Sequence, residues 1–325
     1  MKSKLNLFFA AVIAISSSFS LSAQPKQVNV GVLNGPSGIP CAYLIENKDS
    51  LEIKNLAFEN FTSAQTELPK LLKNEIDIGF LPPNAAAKVF NAGKGAVVCL
   101  GITGNGNLFL VSKRPEQISL ESLREKTVQC AGQGATPEYM FKYLLSRQDI
   151  PTNPKNAADG VTLDFSVPNA NIAAALISGK AEFALVPEPF ATVAEMKSPD
   201  VRRSLDIQEL YARQNGGTYP MTLLVANASF AKNNKSTVRK FIEAYRKAYE
   251  WTVKNPLSAG ELAEKHSLGL KAAVVAKAVP NAAFTWKNAE EGRTDIEQLL
   301  SIFLENAPES IGGKLPASDF YFDEK

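Results

Sequence analysis

Six short segments of the chain carry residue types suited to binding a small polar molecule. Glycine lets the backbone approach a ligand closely, proline removes a competing N–H donor, and Asn, Ser and Thr offer short hydrogen-bonding groups. The segments are residues 34–38, 62–63, 82–84, 132–136, 168–169 and 187–189. None of them contains Lys or Arg, which disfavours a doubly charged anion held by basic side chains. For each Asn, Ser or Thr, a helix cap or a turn is the alternative interpretation.

Glu188 is the charged side chain within these segments. A carboxylate there is expected either to accept a hydrogen bond from an amine or hydroxyl group of a ligand, or to stabilise a helix N-terminus. Tyr219 is a candidate for an aromatic wall of the site, together with Phe61, Tyr139 and Phe190, although aromatic residues also build the core.

Composition excludes several kinds of chemistry. The chain has 325 residues, one histidine and three cysteines, and that length suggests about two domains. A multi-ligand zinc site or a His-based catalytic triad is hard to build from so few residues. The formal charge of +2 disfavours a nucleic-acid or membrane-surface protein. P-loop, G-x-S-x-G and H-E-x-x-H motifs are absent from the sequence. We therefore expect no catalytic residues, no metal and no cofactor.

The six segments follow predicted strands and open predicted helices. Strands are predicted over residues 28–33, 56–61, 76–81, 127–131, 161–167 and 182–186, and two more over residues 97–102 and 108–111. Strands that alternate with helices indicate an α/β fold with a mainly parallel sheet, in which ligands bind at the carboxyl ends of the strands. After about Tyr211 the pattern changes to one strand, residues 221–226, and a series of helices that should pack back onto the first half.

The two halves of the chain resemble each other. Residues 77–82, DIGFLP, align with residues 182–187, EFALVP, and the preceding helices align as well. A repeated unit of this size favours two related lobes whose loops face one another across a cleft.

The N-terminus has the pattern of a secretory signal peptide. Lys2 and Lys4 precede an apolar run over residues 5–15, and small residues allow cleavage after Ala23. Cleavage removes two of the 35 basic side chains and leaves 33, which equals the 33 acidic ones. Cys41, Cys99 and Cys130 allow at most one disulfide, and the sequence selects no pair.

Five stretches together resemble the substrate-binding proteins of ABC transporters, in the nitrate/sulfonate/taurine and thiamine-pyrimidine (NMT1/THI5-like) group. They read VGVLNGPSGIPCAYLIE, NEIDIGFLPPNAAAKVFNAG, GQGATPEYMFKYLL, ALISGKAEFALVPEPFATVA and SIGGKLPASDFYF. The resemblance covers essentially the whole chain after the leader.

This resemblance implies a type II periplasmic-binding-protein fold, with two α/β lobes that close around a ligand by hinge bending. The two crossover segments would fall near residues 112–115 and 216–218. Lobe I would comprise residues 24–112 and 219–325, and lobe II residues 113–218. The expected ligand-binding residues are Asn34, Gly35, Pro36, Ser37, Ser63, Asn84, Thr103, Asn105, Gly134, Thr136, Asn169 and Glu188, with Tyr219 from the aromatic candidates.

The resulting hypothesis is a monomeric receptor in the periplasm that is not an enzyme. It would capture a neutral, cationic or singly charged polar molecule and deliver it to the permease and ATPase of an ABC importer in the inner membrane. One alternative is an enzyme on the same fold, such as a menaquinone-pathway dehydratase or a pyrimidine-precursor enzyme. The cysteine-rich motif of the pyrimidine-precursor enzymes is missing. Another alternative is a TRAP-type solute receptor.

Overall fold

A computed structural model describes residues 27–93, 95–156 and 159–324. The predicted signal peptide, residues 1–23, lies outside the described residues. Within them the chain folds into two β-sheets flanked by helices, which confirms the α/β class. No helix in this part of the chain is long and apolar enough to span a bilayer.

The strands in chain order are β1 (Val28–Leu33), β2 (Leu56–Phe61), β3 (Ile78–Leu81), β4 (Val97–Asn105), β5 (Leu108–Ser112), β6 (Thr127–Cys130), β7 (Thr162–Asp164), β8 (Phe183–Pro187), β9 (Arg202–Asp206), β10 (Pro220–Asn227) and β11 (Phe284–Asn288). The α-helices are α1 (Ile39–Glu46), α2 (Ala64–Leu72), α3 (Pro83–Ala92), α4 (Thr136–Ser146), α5 (Ile172–Ile177), α6 (Phe190–Lys197), α7 (Ile207–Asn215), α8 (Ala228–Asn233), α9 (Lys235–Lys254), α10 (Pro256–Lys265), α11 (Ala272–Ala278) and α12 (Ala289–Asn306).

The first sheet has the order β11-β4-β10-β3-β1-β2, and the second has the order β7-β6-β8-β5-β9. In the first sheet, β1 pairs in parallel with β2 and β3. In the second, β6 pairs in parallel with β7 and β8. The inner strands β1, β3 and β8 consist largely of buried residues, as expected where helices cover both faces of a sheet.

The chain crosses between the sheets twice. It leaves β4 of the first sheet through Gly106 and Asn107 and enters β5, which pairs with β8 and β9 of the second sheet. It returns through residues 216–219, from α7 to β10. The first crossover therefore precedes β5, whereas the sequence placed it after this strand, near residues 112–115. Residues 108–112, assigned to lobe I from sequence, belong to the second sheet because their backbone pairs with β8.

One hydrophobic core cluster contains side chains from both lobes. It joins residues of the second sheet and α4, such as Leu110 and Phe141, with Leu299 and Phe303 of α12. The rings of Tyr139 in α4 and Phe303 lie 5.5 Å apart between centroids. The lobes are therefore in contact along the α4 and α12 side of the molecule.

Glu67 of α2 is fully buried against the first sheet. Its Oε1 accepts a hydrogen bond from the Phe80 backbone N–H at 3.0 Å. A Cβ on Gly79 would lie 2.1 Å from that same oxygen, so glycine makes room for the carboxyl group. Ser63, the residue before α2, makes no side-chain cap bond, and Glu67 turns inward toward the sheet.

Candidate ligand site between the lobes

The loops singled out from sequence lie where the two sheets face each other. The strands β1, β3 and β4 end at residues 33, 81 and 105, at one edge of the first sheet. The strands β6 and β8 end at Cys130 and Pro187, at one edge of the second. Parallel strands bring their carboxyl ends to the same edge, and that edge is where ligands bind in open α/β sheets.

Asn84 makes a direct contact between these edges. It lies in the first turn of α3 and is 2% exposed, and its Nδ2 donates to the Gly134 carbonyl oxygen across the interface at 2.9 Å. Because this bond fixes the orientation of the amide, Oδ1 is the remaining acceptor, and it is buried without a partner. The structure thus brings two predicted site residues from different lobes together.

Ser37 and Thr103 form a second polar contact, inside the first lobe. The Thr103 hydroxyl lies 3.3 Å from Ser37 Oγ and 3.2 Å from the Thr222 carbonyl oxygen. The Tyr245 hydroxyl donates to the Ser37 carbonyl oxygen at 3.0 Å. The turn after β1 is therefore held against β4, with Gly35 and Pro36 leading into Ser37.

Several predicted site residues have unpartnered oxygens. Buried side-chain oxygens without a hydrogen-bond partner occur at five of these positions, Asn34, Asn84, Asn105, Thr136 and Tyr219, and at six other residues of the described chain. Buried polar atoms are normally paired, and leaving one unpaired costs about 1–3 kcal/mol. The role of the oxygens at the predicted site positions in ligand binding stays a prediction.

Glu188 forms an ion pair inside the second lobe. The side chain is fully buried, and its Oε1 lies 2.6 Å from Arg203 Nη2 in an ion pair. The Thr192 hydroxyl donates to Oε1 at 3.1 Å, and the Thr192 backbone N–H donates to Oε2 at 3.3 Å. Burial raises the pKa of Glu188, while Arg203 and Thr192 act in the opposite direction. The predicted ligand acceptor is instead an internal partner of Arg203.

Tyr219 also lies inside the protein rather than on an aromatic wall. It is fully buried at the second crossover, where its ring contacts Tyr211 edge-on with centroids 5.0 Å apart. A Cβ on Gly106 would lie 2.8 Å from the Tyr219 ring and 2.1 Å from Gln208 Oε1. The two crossovers can therefore pass this closely only because residue 106 is glycine.

The remaining predicted positions are less enclosed. Ser63 is partly exposed and lies 3.5 Å from the Thr66 hydroxyl, and Asn169 is exposed in a short 3-10 turn. The structure gives neither of them a contact with the opposite lobe. Their place in the ligand site stays a prediction.

A cavity of about 500 Å³ lies beside the first crossover. Phe109, Glu195, Arg203, Asp206 and Gln208 line it from the second lobe, and residues 280, 281 and 283 line it from the first. The Arg203 guanidinium lies 4.3 Å from the centre of the Phe109 ring and 3.1 Å from Glu195 Oε2. We call this space the crossover cavity.

The residues of the crossover cavity were missed from sequence. Arg203 and Asp206 lie on β9, which was not predicted because its sequence, RRSLD, shows no apolar alternation. Phe109 was assigned to the wrong lobe together with β5. A detectable signal was the Asp206 cap: its Oδ1 accepts from the backbone N–H groups of Gln208 and Glu209, an N-cap pattern that marks the start of α7.

Few groups in the described residues have the environment of a nucleophile. The three cysteines are free and buried, and burial raises the pKa of each thiol. His266 is at the end of α10, where its Nε2 lies 2.7 Å from Glu46 Oε2. In the part of the chain that the structure describes, no cluster of His, Cys, Asp and Glu side chains is arranged to hold a metal ion.

Two α/β lobes, two crossovers and a polar interlobe edge define the fold of a periplasmic binding protein of ABC transport. The structure of an ABC transporter protein from Parabacteroides distasonis superimposes with a TM-score of 0.77 and 25% identity, covering 92% of this chain and 99% of that one. The periplasmic aliphatic sulphonate binding protein SsuA of Escherichia coli superimposes with a TM-score of 0.72 and 16% identity, covering 92% of each chain.

Residues 23–267 match the NMT1-like family, and the chain belongs to that family. It is also 27% identical over 260 residues to the Bacillus subtilis protein YtlA, which is named as a binding protein, covering 76% of this chain and 74% of that one. These similarities confirm the family resemblance inferred from the sequence motifs.

Proposed function

We propose that this protein is the solute receptor of an ABC importer, exported to the periplasm, and that it binds a small polar organic molecule between its lobes. The observation that carries the proposal is the Asn84 amide, which donates to Gly134 of the opposite lobe while its Oδ1 is left buried and unpartnered. A group that contacts both lobes when they are close can couple ligand binding to closure, because its contacts are complete in one state.

Binding without catalysis is consistent with the available side chains. The thiols are buried, and the histidine is paired with Glu46 on the α10 side. The carboxylate of Glu188 is paired with Arg203. The permease and the ATPase in the inner membrane, and the monomeric state, are part of the proposal through the family to which the chain belongs.

The test compares Asn84→Ala with Asn91→Ala after incubation with a polar metabolite extract of Escherichia coli. Asn91 lies in the same helix, but its Nδ2 donates to Ile311 and Lys314 carbonyls of the same lobe. Native mass spectrometry measures bound small molecules, and small-angle scattering measures closure.

We expect the wild type and Asn91→Ala to capture the same molecule and to decrease in radius of gyration. Asn84→Ala should bind it about tenfold more weakly, because one ligand hydrogen bond and the interlobe bond are lost. Turnover of the bound molecule, or equal binding by both variants, would contradict the proposal.

A further inference from the structure

We propose that the ligand of this interlobe site is a neutral or cationic molecule that donates N–H hydrogen bonds, and not an oxyanion. The inference rests on the proposed receptor function and adds the class of substrate. Two features of the site carry it: prolines that reduce the number of N–H groups at three helix starts, and buried oxygens that have no hydrogen-bond partner.

Prolines lie at the helix N-termini of this site and reduce the number of backbone N–H donors there. Oxyanions are held at helix N-termini by free backbone N–H groups. Here α3 begins at Pro83 and is preceded by Pro82, and Pro36 and Pro137 occupy the first turns of the 3-10 turn after β1 and of α4. Each proline lacks an N–H and so removes one of the free donors of its helix start, which leaves fewer backbone N–H groups there for an oxyanion.

One backbone N–H of the second lobe at this site already donates a hydrogen bond within the protein. The Gly134 backbone N–H donates to Glu138 Oε2 at 2.7 Å, inside the same loop and helix. An oxyanion at this loop would have to displace that carboxylate. The Gly134 carbonyl oxygen, in contrast, faces the first lobe and accepts from Asn84.

The atoms that lack partners are oxygens. Asn84 Oδ1 can only accept, because its amide orientation is fixed by the bond from Nδ2 to Gly134. Thr136 Oγ1 is also fully enclosed and unpartnered, and this hydroxyl can accept a hydrogen bond as well as donate one. Both side chains are more than nine-tenths buried. An oxyanion and Asn84 Oδ1 are both acceptors, so no hydrogen bond can form between them. An N–H group of a ligand can donate to Asn84 Oδ1.

The first experiment identifies what binds. Wild-type protein is incubated with the Escherichia coli extract, and the captured molecule is identified by native and tandem mass spectrometry. In parallel, methylguanidine, acetamidine and propionamide are compared with ethanesulfonate and nitrate by the shift in melting temperature.

We expect a captured molecule that carries N–H groups and no anionic group, with melting shifts confined to the first set of probes. A captured oxyanion, or a shift with ethanesulfonate or nitrate, would overturn the substrate class and leave the receptor function intact. If nothing is captured, no probe shifts the melting temperature and no closure occurs, the receptor function itself fails and takes this inference with it.

The second experiment uses Thr136→Val and, as a matched control, Thr252→Val. Thr252 is another fully buried threonine with an unpartnered hydroxyl, but it lies in α9, away from the interlobe edge. Both substitutions remove a hydroxyl without a protein partner and should leave the unliganded melting temperature unchanged or higher. Thr136→Val should weaken binding of the captured molecule about tenfold. Equal affinity in the two variants would overturn the role of the Thr136 hydroxyl and, with it, the proposed donor recognition.

Discussion

Each lobe completely buries one glutamate, and the two glutamates are accommodated in opposite ways. In the first lobe, Glu67 accepts one backbone N–H, and no cation lies within ion-pair distance among the described residues. In the second, Glu188 pairs with Arg203 and accepts two bonds from Thr192. Burial raises the pKa of Glu67 to about 8, so this group is held largely as the neutral acid at pH 7.

The difference shows where each lobe is vulnerable. A buried acid without a cation destabilises the fold when it loses its proton, while a buried ion pair destabilises it when one partner is removed. The first lobe should therefore be sensitive to alkaline pH, and the second to substitution of Arg203. Three substitutions test this contrast.

The largest effect is expected from Arg203→Met. Removing the guanidinium leaves Glu188 buried and unpaired, which typically costs about 3–5 kcal/mol of unfolding free energy. Urea denaturation at pH 7, followed by circular dichroism, measures the loss. The double variant Arg203→Met with Glu188→Met should recover most of it, since an apolar pair of similar volume replaces the ion pair. A double variant no more stable than the single one would show that packing of Arg203, and not charge, is what matters.

The next effect is a dependence of the unfolding free energy on pH, which we attribute to Glu67. Its pKa is about 8 in the folded protein against an ordinary 4.5, so the folded state binds the extra proton between these values. Stability should therefore fall as pH rises through this window, by about 1.4 kcal/mol per pH unit, and the loss should be complete above the folded pKa. Glu67→Gln removes the titrating proton, so this variant should lack that part of the slope.

Urea denaturation of the wild type and Glu67→Gln at several pH values from 5 to 9 compares the two. The stability of the variant relative to the wild type should increase toward alkaline pH. Parallel curves over the whole range would show that Glu67 is not held as the acid, and the contrast with Glu188 would disappear.

The smallest effect is expected from Gly79→Ala. The new Cβ would meet Glu67 Oε1 at 2.1 Å, and overpacking of this kind costs about 1–3 kcal/mol. Gly104→Ala in β4 is the matched control, because a Cβ there meets nothing within 4 Å. In a Glu67→Ala background the cost of Gly79→Ala should shrink, and its persistence at full size would locate the clash elsewhere.

Much of the fold could be predicted because apolar strands have a recognisable sequence pattern. Val28–Leu33, Leu56–Phe61 and Phe183–Pro187 lie at or close to the predicted positions, since each is a short apolar run bounded by turn residues. The strands β9 and β11 were missed because edge strands can carry polar residues on their open side. The sheet to which β5 belongs depends on long-range pairing with β8, which no local pattern encodes.

The sequence likewise predicted some features of the candidate site and not others. The position of Asn84, Gly134 and Thr136 near the sheet edges could be predicted because Gly, Pro, Asn and Thr after a strand mark a loop there, while their role in ligand binding stays a prediction. Glu188 lies in such a loop as well, but its partner, Arg203, is on a strand that the sequence did not reveal. Whether a carboxylate faces a ligand or a guanidinium depends on tertiary neighbours, so loop position alone could not decide it.

The position of β10 affects the order in which the lobes can form. This strand is encoded by residues 220–227, yet it lies in the middle of the first sheet, paired with both β3 and β4. A growing chain has the second sheet, β5 to β9, available before β10 is synthesised. The strands β3 and β4 cannot form their pairs with β10 before β10 is present, and such long-range pairing is slow. The first sheet is therefore complete only once residues 220–227, about two thirds of the way along the chain, are available to pair with β3 and β4.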